Sequence, residues 1–293
     1  MNRCLAFIGA LLLAFLSVSS ACMAAVQSNW IRFALEPERS RSGEIRATFR
    51  DDDERNGNDH SWSTGFPATE LTGLDVIGFR GSGTRPLRFA IVREAGRLDC
   101  AGSGGESYAH GNCRFTADPA FSQLLARRGI RADTDDRWGL MALNVRSELI
   151  DAIAAAGYPT PTAGNLIGMT AVGVNGRYIQ ELARAGYRPK SIDTLIEFRA
   201  MNITPEWIGG FVRIGYANIP ADGLVQLKAL NITPDFISGF DAIGYRHLPV
   251  DDLVQLKALD ITPEFARWAV GQRGSLPPVD QLVDMKIFGG RRR

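Results

Sequence analysis

The chain has 293 residues, 45% of them hydrophobic, and its 33 basic and 32 acidic side chains leave a net charge of +1. That hydrophobic share can build a core and excludes a disordered chain. Near-neutrality excludes a global field for nucleic acid or an anionic membrane, and three histidines and four cysteines leave little material for metal or nucleophile chemistry.

Met1 to Ala25 opens with Arg3, continues as an apolar run from Leu5 to Val18, and ends in Cys22-Met23-Ala24-Ala25. This is the layout of a secretory signal peptide cleaved after Ala24 or Ala25. The run is shorter than the roughly 18 residues that span a bilayer. A lipidated Cys22 is the competing reading, but Ser19-Ser20-Ala21 lacks the aliphatic residue usual three positions before such a cysteine. The expectation is a periplasmic or secreted chain without stable membrane insertion.

Residues 26–115 read as an antiparallel β domain. Ile31, Phe33 and Leu35 alternate with polar or small neighbours, as do Ile45, Ala47 and Phe49, then Leu87, Phe89 and Ile91. That period of two predicts a meander of about five strands with one buried face, and little helix beyond a turn near Pro67 to Leu71. Export places Cys100 and Cys113 in an oxidising compartment. The glycine-rich stretch from Ala101 to Gly111 lets their strands fold back, which sets Cys100 opposite Cys113 and Leu98 opposite Phe115. A structural disulfide follows. Zinc would need two more ligands than His110 supplies.

The loop from Asp51 to His60 is the one conspicuous polar cluster. Aligned as a calcium loop from Asp52, it puts Ser63 where a bidentate glutamate belongs. A solvated hairpin loop is the better reading, and no cofactor is expected.

Residues 116–290 carry a repeat. Ile203-Thr204-Pro205-Glu206 recurs as Ile232-Thr233-Pro234-Asp235 and Ile261-Thr262-Pro263-Glu264, a step of 29 residues each time. Gly157-Tyr158, Gly186-Tyr187, Gly215-Tyr216 and Gly244-Tyr245 keep the step, as do Leu195, Leu224, Leu253 and Leu282. Such a period predicts a solenoid, here of about six two-helix units with degenerate ends as caps. Thr204 is suited to the N-cap, Pro205 to the first helical position and Gly215 to a left-handed C-terminal position. Arg291 to Arg293 form a basic tail.

Tyr178, Trp207, Phe236 and Phe265 form an aromatic column suited to core between units. Arg199, Lys228, Lys257 and Lys286 form a basic column near the ends of the second helices, where dipole complementation competes with a docking stripe for an acidic partner. Asp193, Asp222, Asp251 and Asp280 balance it, which argues against nucleic acid. Arg213, Gln226, Asp241, Arg246 and Gln255 fall between the core columns, where partner specificity would be set. Asn202-Ile203-Thr204 and Asn231-Ile232-Thr233 have the form of glycosylation sequons, but capping explains them and the following proline makes them poor acceptors.

The pattern from Gly244 to Phe265 (Gly-Tyr, then Asp-Asp-Leu-Val-Gln-Leu-Lys-Ala-Leu, then Ile-Thr-Pro-Glu-Phe) resembles helical repeat arrays of exported bacterial proteins. Similar arrays occur behind membrane metallopeptidases of the antirepressor type. The resemblance implies an extracytoplasmic module without an assigned activity. Neither the His-Glu-x-x-His of those peptidases nor a membrane bundle is present in the sequence. No Gly-x-Ser-x-Gly elbow, phosphate loop or dinucleotide fingerprint occurs either. The expected fold class is therefore α+β, a sheet followed by an α-solenoid. The expected function is non-enzymatic binding of a protein or peptide through the helical surface, with an envelope structural or carbohydrate-associated role for the β domain as the alternative.

Overall fold

The computed structural model describes residues 30–38, 43–51 and 60–289. The expected signal segment Met1–Ala25, the calcium-loop candidate from Asp52 to Asp59 and the tail 291–293 lie outside those residues. The chain is α+β: one antiparallel sheet, then helices.

Six strands build the sheet: β1 (Trp30–Pro37), β2 (Glu44–Asp51), β3 (His60–Pro67), β4 (Arg85–Arg93), β5 (Gly96–Gly105) and β6 (Tyr108–Ala117). Their order is β3-β2-β1-β6-β5-β4. This corrects the expectation of a single five-stranded meander. Two three-stranded meanders are joined antiparallel along β1 and β6, with Phe33 opposite Gly111. Gly111 matters there because a Cβ would sit 2.8 Å from the Phe33 ring, which instead lies edge-on to Phe89 at 5.0 Å. The additional strand is β3, whose serines, glycine and proline read as loop. Its alternating Trp62, Thr64 and Phe66 share the face of Phe49, and Trp62 stacks on Phe49 at 5.1 Å.

The link from β3 to β4 passes from one sheet edge to the other. It contains the expected 3₁₀ turn at Ala68–Glu70 and a short helix that the sequence reading missed, α1 (Val76–Arg80). Asp75 caps α1 by accepting from the Gly78 N–H, and Phe79 and Leu71 bury themselves in the core.

Across β5 and β6 the register is as expected, with Leu98 opposite Phe115 and Cys100 opposite Cys113. The two sulfurs are bonded at 2.04 Å. Both cysteines are buried on the inner face.

Twelve further helices follow among the described residues: α2 (Pro119–Arg127), α3 (Thr134–Ala142), α4 (Ser147–Ala155), α5 (Ala163–Val172), α6 (Gly176–Arg184) and α7 (Ile192–Ala200). After them come α8 (Pro205–Arg213), α9 (Ala221–Ala229), α10 (Pro234–Asp241), α11 (Val250–Ala258), α12 (Pro263–Arg273) and α13 (Val279–Phe288). None is long and apolar enough to cross a membrane.

Their boundaries follow from caps. Thr204, Thr233 and Thr262 each accept from the N–H three residues on, with proline in the first helical turn. Most of these helices end on a left-handed residue, either glycine or a short polar side chain. Gly215 (φ +91°) ends α8, with the Gly215 N–H on the Val212 carbonyl and the Tyr216 N–H on that of Phe211. Asn231 (φ +51°) ends α9 in the same manner, and Ile232 then donates to Leu227. Glycine or asparagine is the side chain that tolerates this left-handed position. Each Asn-Ile-Thr triplet is thus the end of one helix, a buried isoleucine and the cap of the next.

Helices pack on their second neighbours. Within one series α3 meets α5, α5 meets α7, α9 meets α11, and α11 meets α13. In the other, α4 meets α6 and α10 meets α12. Buried residues of sheet and helices form one continuous core.

The joint between sheet and helices is aromatic. Trp138 of α3 lies 6.2 Å from Trp62, 6.3 Å from Phe49 and 5.7 Å from Phe115. Arg93, its side chain only 11% exposed, donates to the carbonyls of Met141 and Ala142 at the end of α3. Glu94 accepts from the Ser147 N–H at 2.7 Å and so caps α4. That hydrogen bond holds its carboxyl below the usual range.

Candidate functional site: a row of repeat-related clefts

The columns singled out from sequence are brought together in pairs. Arg199 stands over the Tyr178 ring at 5.2 Å, Lys228 over Trp207 at 5.0 Å, Lys257 over Phe236 at 4.9 Å and Lys286 over Phe265 at 5.3 Å. Each cation is half-buried and covers the aromatic residue 21 positions before it. A cation over a ring gains roughly 0.5–1 kcal/mol at exposed sites, so this column has a packing role within its own unit.

Arg213, Gln226, Arg246 and Gln255 are exposed. Asp241 is half-buried, and its Oδ1 has no hydrogen-bond partner among the described residues. Among the described residues no hydrogen bond or ion pair joins any two of these five. Among the described residues no three His, Cys, Asp or Glu side chains are grouped to hold a metal ion.

The concave features lie elsewhere. A cleft of about 440 Å³ opens between α4, α6 and the loop after α6. Small residues of α4 and α6, chiefly Ala155 and Ala183, form its walls, and Tyr158, Tyr187, Gln180, Arg188 and Lys190 supply its polar groups. A second cleft of about 140 Å³ lies between Tyr187 and Tyr216. Most residues lining it stand 29 positions after residues lining the first: Gly186 follows Gly157, Ile208 follows Ile179, Val212 follows Ala183, and Asn218 follows Pro189. The two clefts are one feature in successive units.

In the next two copies a side chain approaches the glycine. His247, in the column of Pro189 and Asn218, places Cε1 3.1 Å from where a Gly215 Cβ would be. Leu276, one step further, comes within 3.5 Å of the same point at Gly244. Gly157 and Gly186 have nothing within 4 Å there. The tyrosines divide the same way. Tyr216 donates to the Leu248 carbonyl at 3.0 Å and Tyr245 to that of Pro277 at 2.6 Å. Among the described residues the Tyr158 and Tyr187 hydroxyls have no such partner.

Burial raises the pKa of Tyr158, opposed by the charge of Arg188, which therefore lies near that hydroxyl. Around the second cleft the sign inverts. Burial first and then Asp222 raise Tyr187, while burial and then Asp241 push Tyr216 up to about 12. The first cleft thus combines two phenols, an amide, two cations and an apolar wall. The columns that the repeats share do not disclose it. The signal lies in the columns where they differ, at 188–190, 217–219 and 246–248.

No family model matches the chain, and a search of the curated proteins found no match either.

Proposed function

We propose that the chain is an exported, non-enzymatic binding module in which α2 to α13 stack as six two-helix units into a solenoid, and that the Tyr158–Tyr187–Tyr216 row of clefts takes an extended peptide segment of a partner. Alternating packing of second-neighbour helices supports the stack. So do contacts recurring at constant spacing: Gly210 against Pro234, and Gly239 against Pro263. Export rests on the layout of Met1–Ala25 and on the resemblance of the repeat to extracytoplasmic arrays.

One observation carries the binding reading. Two successive units carry the same cleft with tyrosine hydroxyls that have no partner among the described residues, while in the next two His247 and Leu276 approach the glycine and the tyrosine hydroxyls bond to backbone carbonyls. The hydroxyls that the later copies satisfy internally, on the Leu248 and Pro277 carbonyls, are left to an occupant in the earlier two. Solenoids use continuous concave surfaces of this kind to hold partners.

Displayed-peptide selection on the full chain tests the reading against Ala155→Trp. Ala155 is exposed at the end of α4, so the indole fills the cleft without entering the core. Peptides enriched on the parent chain and lost on the variant are the expected result. Equal enrichment on both overturns the assignment.

The outer sheet face supports a second reading, contact with anionic carbohydrate. Arg32 and Arg50 face each other across β1 and β2, beside a depression lined also by Thr48, Tyr108, His110 and Glu36.

A further inference from the structure

The two open clefts differ in charge and size, and the difference specifies what they hold. Arg188 and Lys190 line the larger cleft, and no aspartate or glutamate lines it. In the smaller one Ala217 and Ile219 occupy those columns, and Val212 replaces Ala183, so its wall is apolar and narrower. Asp222 and Asp241 act on the tyrosines that flank it. A carboxylate is thus drawn to the first cleft and repelled from the second.

Spacing sets the register of the occupant. Packed helix layers lie roughly 8–10 Å apart. A β-strand returns a side chain to the same face about every 6.7 Å, so one return is too short for a step and two, about 13.4 Å, are too long. A polyproline II segment returns one every three residues, about 9.3 Å. Resting on the proposed groove, we infer that the occupant is a polyproline-II-like peptide with an acidic side chain in the Tyr158–Tyr187 cleft and an apolar one, three residues away, in the Tyr187–Tyr216 cleft. The Tyr158 and Tyr187 hydroxyls and the Gln180 amide then meet the exposed backbone of the peptide, which in this conformation makes no internal hydrogen bonds. His247 and Leu276 end the groove after two subsites, so recognition involves two side chains and not four.

Fluorescence anisotropy with dye-labelled octapeptides on the full chain tests this. The probes carry Asp and Leu three residues apart, in both chain directions. Sister peptides replace Asp with Asn or with Lys, or move Leu by one residue. Each change is expected to weaken binding about tenfold, and Arg188→Glu with Lys190→Glu is expected to favour the Lys-bearing sister instead. If Asp and Asn peptides bind alike while Ala155→Trp still abolishes binding, the acidic specificity is overturned and the groove stands. If no peptide binds, or Ala155→Trp leaves binding unchanged, the groove itself is overturned.

Discussion

Tyr178 illustrates how single side chains bind the units to one another. Its ring is 5% exposed, its hydroxyl donates to the Ile203 carbonyl at 2.8 Å, and Arg199 covers its face. Burial pushes its pKa up to about 12, with Arg199 opposing. The folded chain therefore favours the neutral phenol. This contribution to stability is complete below the ordinary value of 10.0 and is lost as pH rises from there towards about 12. Tyr216 shares the window. Urea unfolding followed across that range should show a falling midpoint as tyrosinate absorbance appears. Tyr178→Phe should cost roughly 1–3 kcal/mol at neutral pH, because the buried Ile203 carbonyl loses a donor, and should make the alkaline decline shallower.

At the scale of elements, the approach of neighbouring helices is set by glycine against proline. A Cβ on Gly239 of α10 would lie 2.7 Å from Cγ of Pro263, at the start of α12. A proline ring cannot swing aside, so the helices would have to separate. Gly271 in α12 has nothing within 4 Å. Alanine is the better helix former by up to about 1 kcal/mol, while overpacking costs typically about 1–3 kcal/mol. Gly271→Ala should therefore raise stability and Gly239→Ala should lower it, by thermal or urea unfolding. Stabilisation by both substitutions would mean that the contact at Pro263 is not close. The caps at these same helix ends act over three or four residues, which is why Thr204, Pro205 and Gly215 disclosed helix boundaries directly from their order in the chain.

For the whole molecule the decisive contact is the joint between sheet and helices. Arg93 reaches from β4 to the last carbonyls of α3, pairs with Glu70 at 3.5 Å and lies over the rings of Trp62 and Phe66. Its burial lowers its pKa, so the hydrogen bonds and rings must offset a real desolvation cost. Arg93→Met keeps the stem and removes the donors. The expected loss is about 2–4 kcal/mol, from two carbonyls left unsatisfied beside the aromatic cluster. In a background where Trp30, Trp207 and Trp268 are replaced by Phe, tryptophan fluorescence reports Trp62 and Trp138 at the joint, and far-ultraviolet circular dichroism reports the helices. Their unfolding curves should coincide in the parent chain and separate in the variant. Coincident curves in both would show that Arg93 does not couple the two parts.

What the sequence determined alone is what short stretches encode. The 29-residue step, the threonine caps, the glycine and asparagine helix ends and the Cys100–Cys113 register are each readable within a few residues or across one hairpin. Proximity along the chain makes such choices nearly independent of the rest of the fold. The tertiary structure decided what depends on surfaces meeting from afar. It joined β1 to β6 through the space at Gly111, drew the serine-rich β3 into the sheet behind Trp62, and laid each basic residue on a ring 21 positions earlier. It also decided the clefts. An opening is defined by which side chains fail to fill it, and that depends on how close residues such as His247 and Leu276 come to the glycine of each copy.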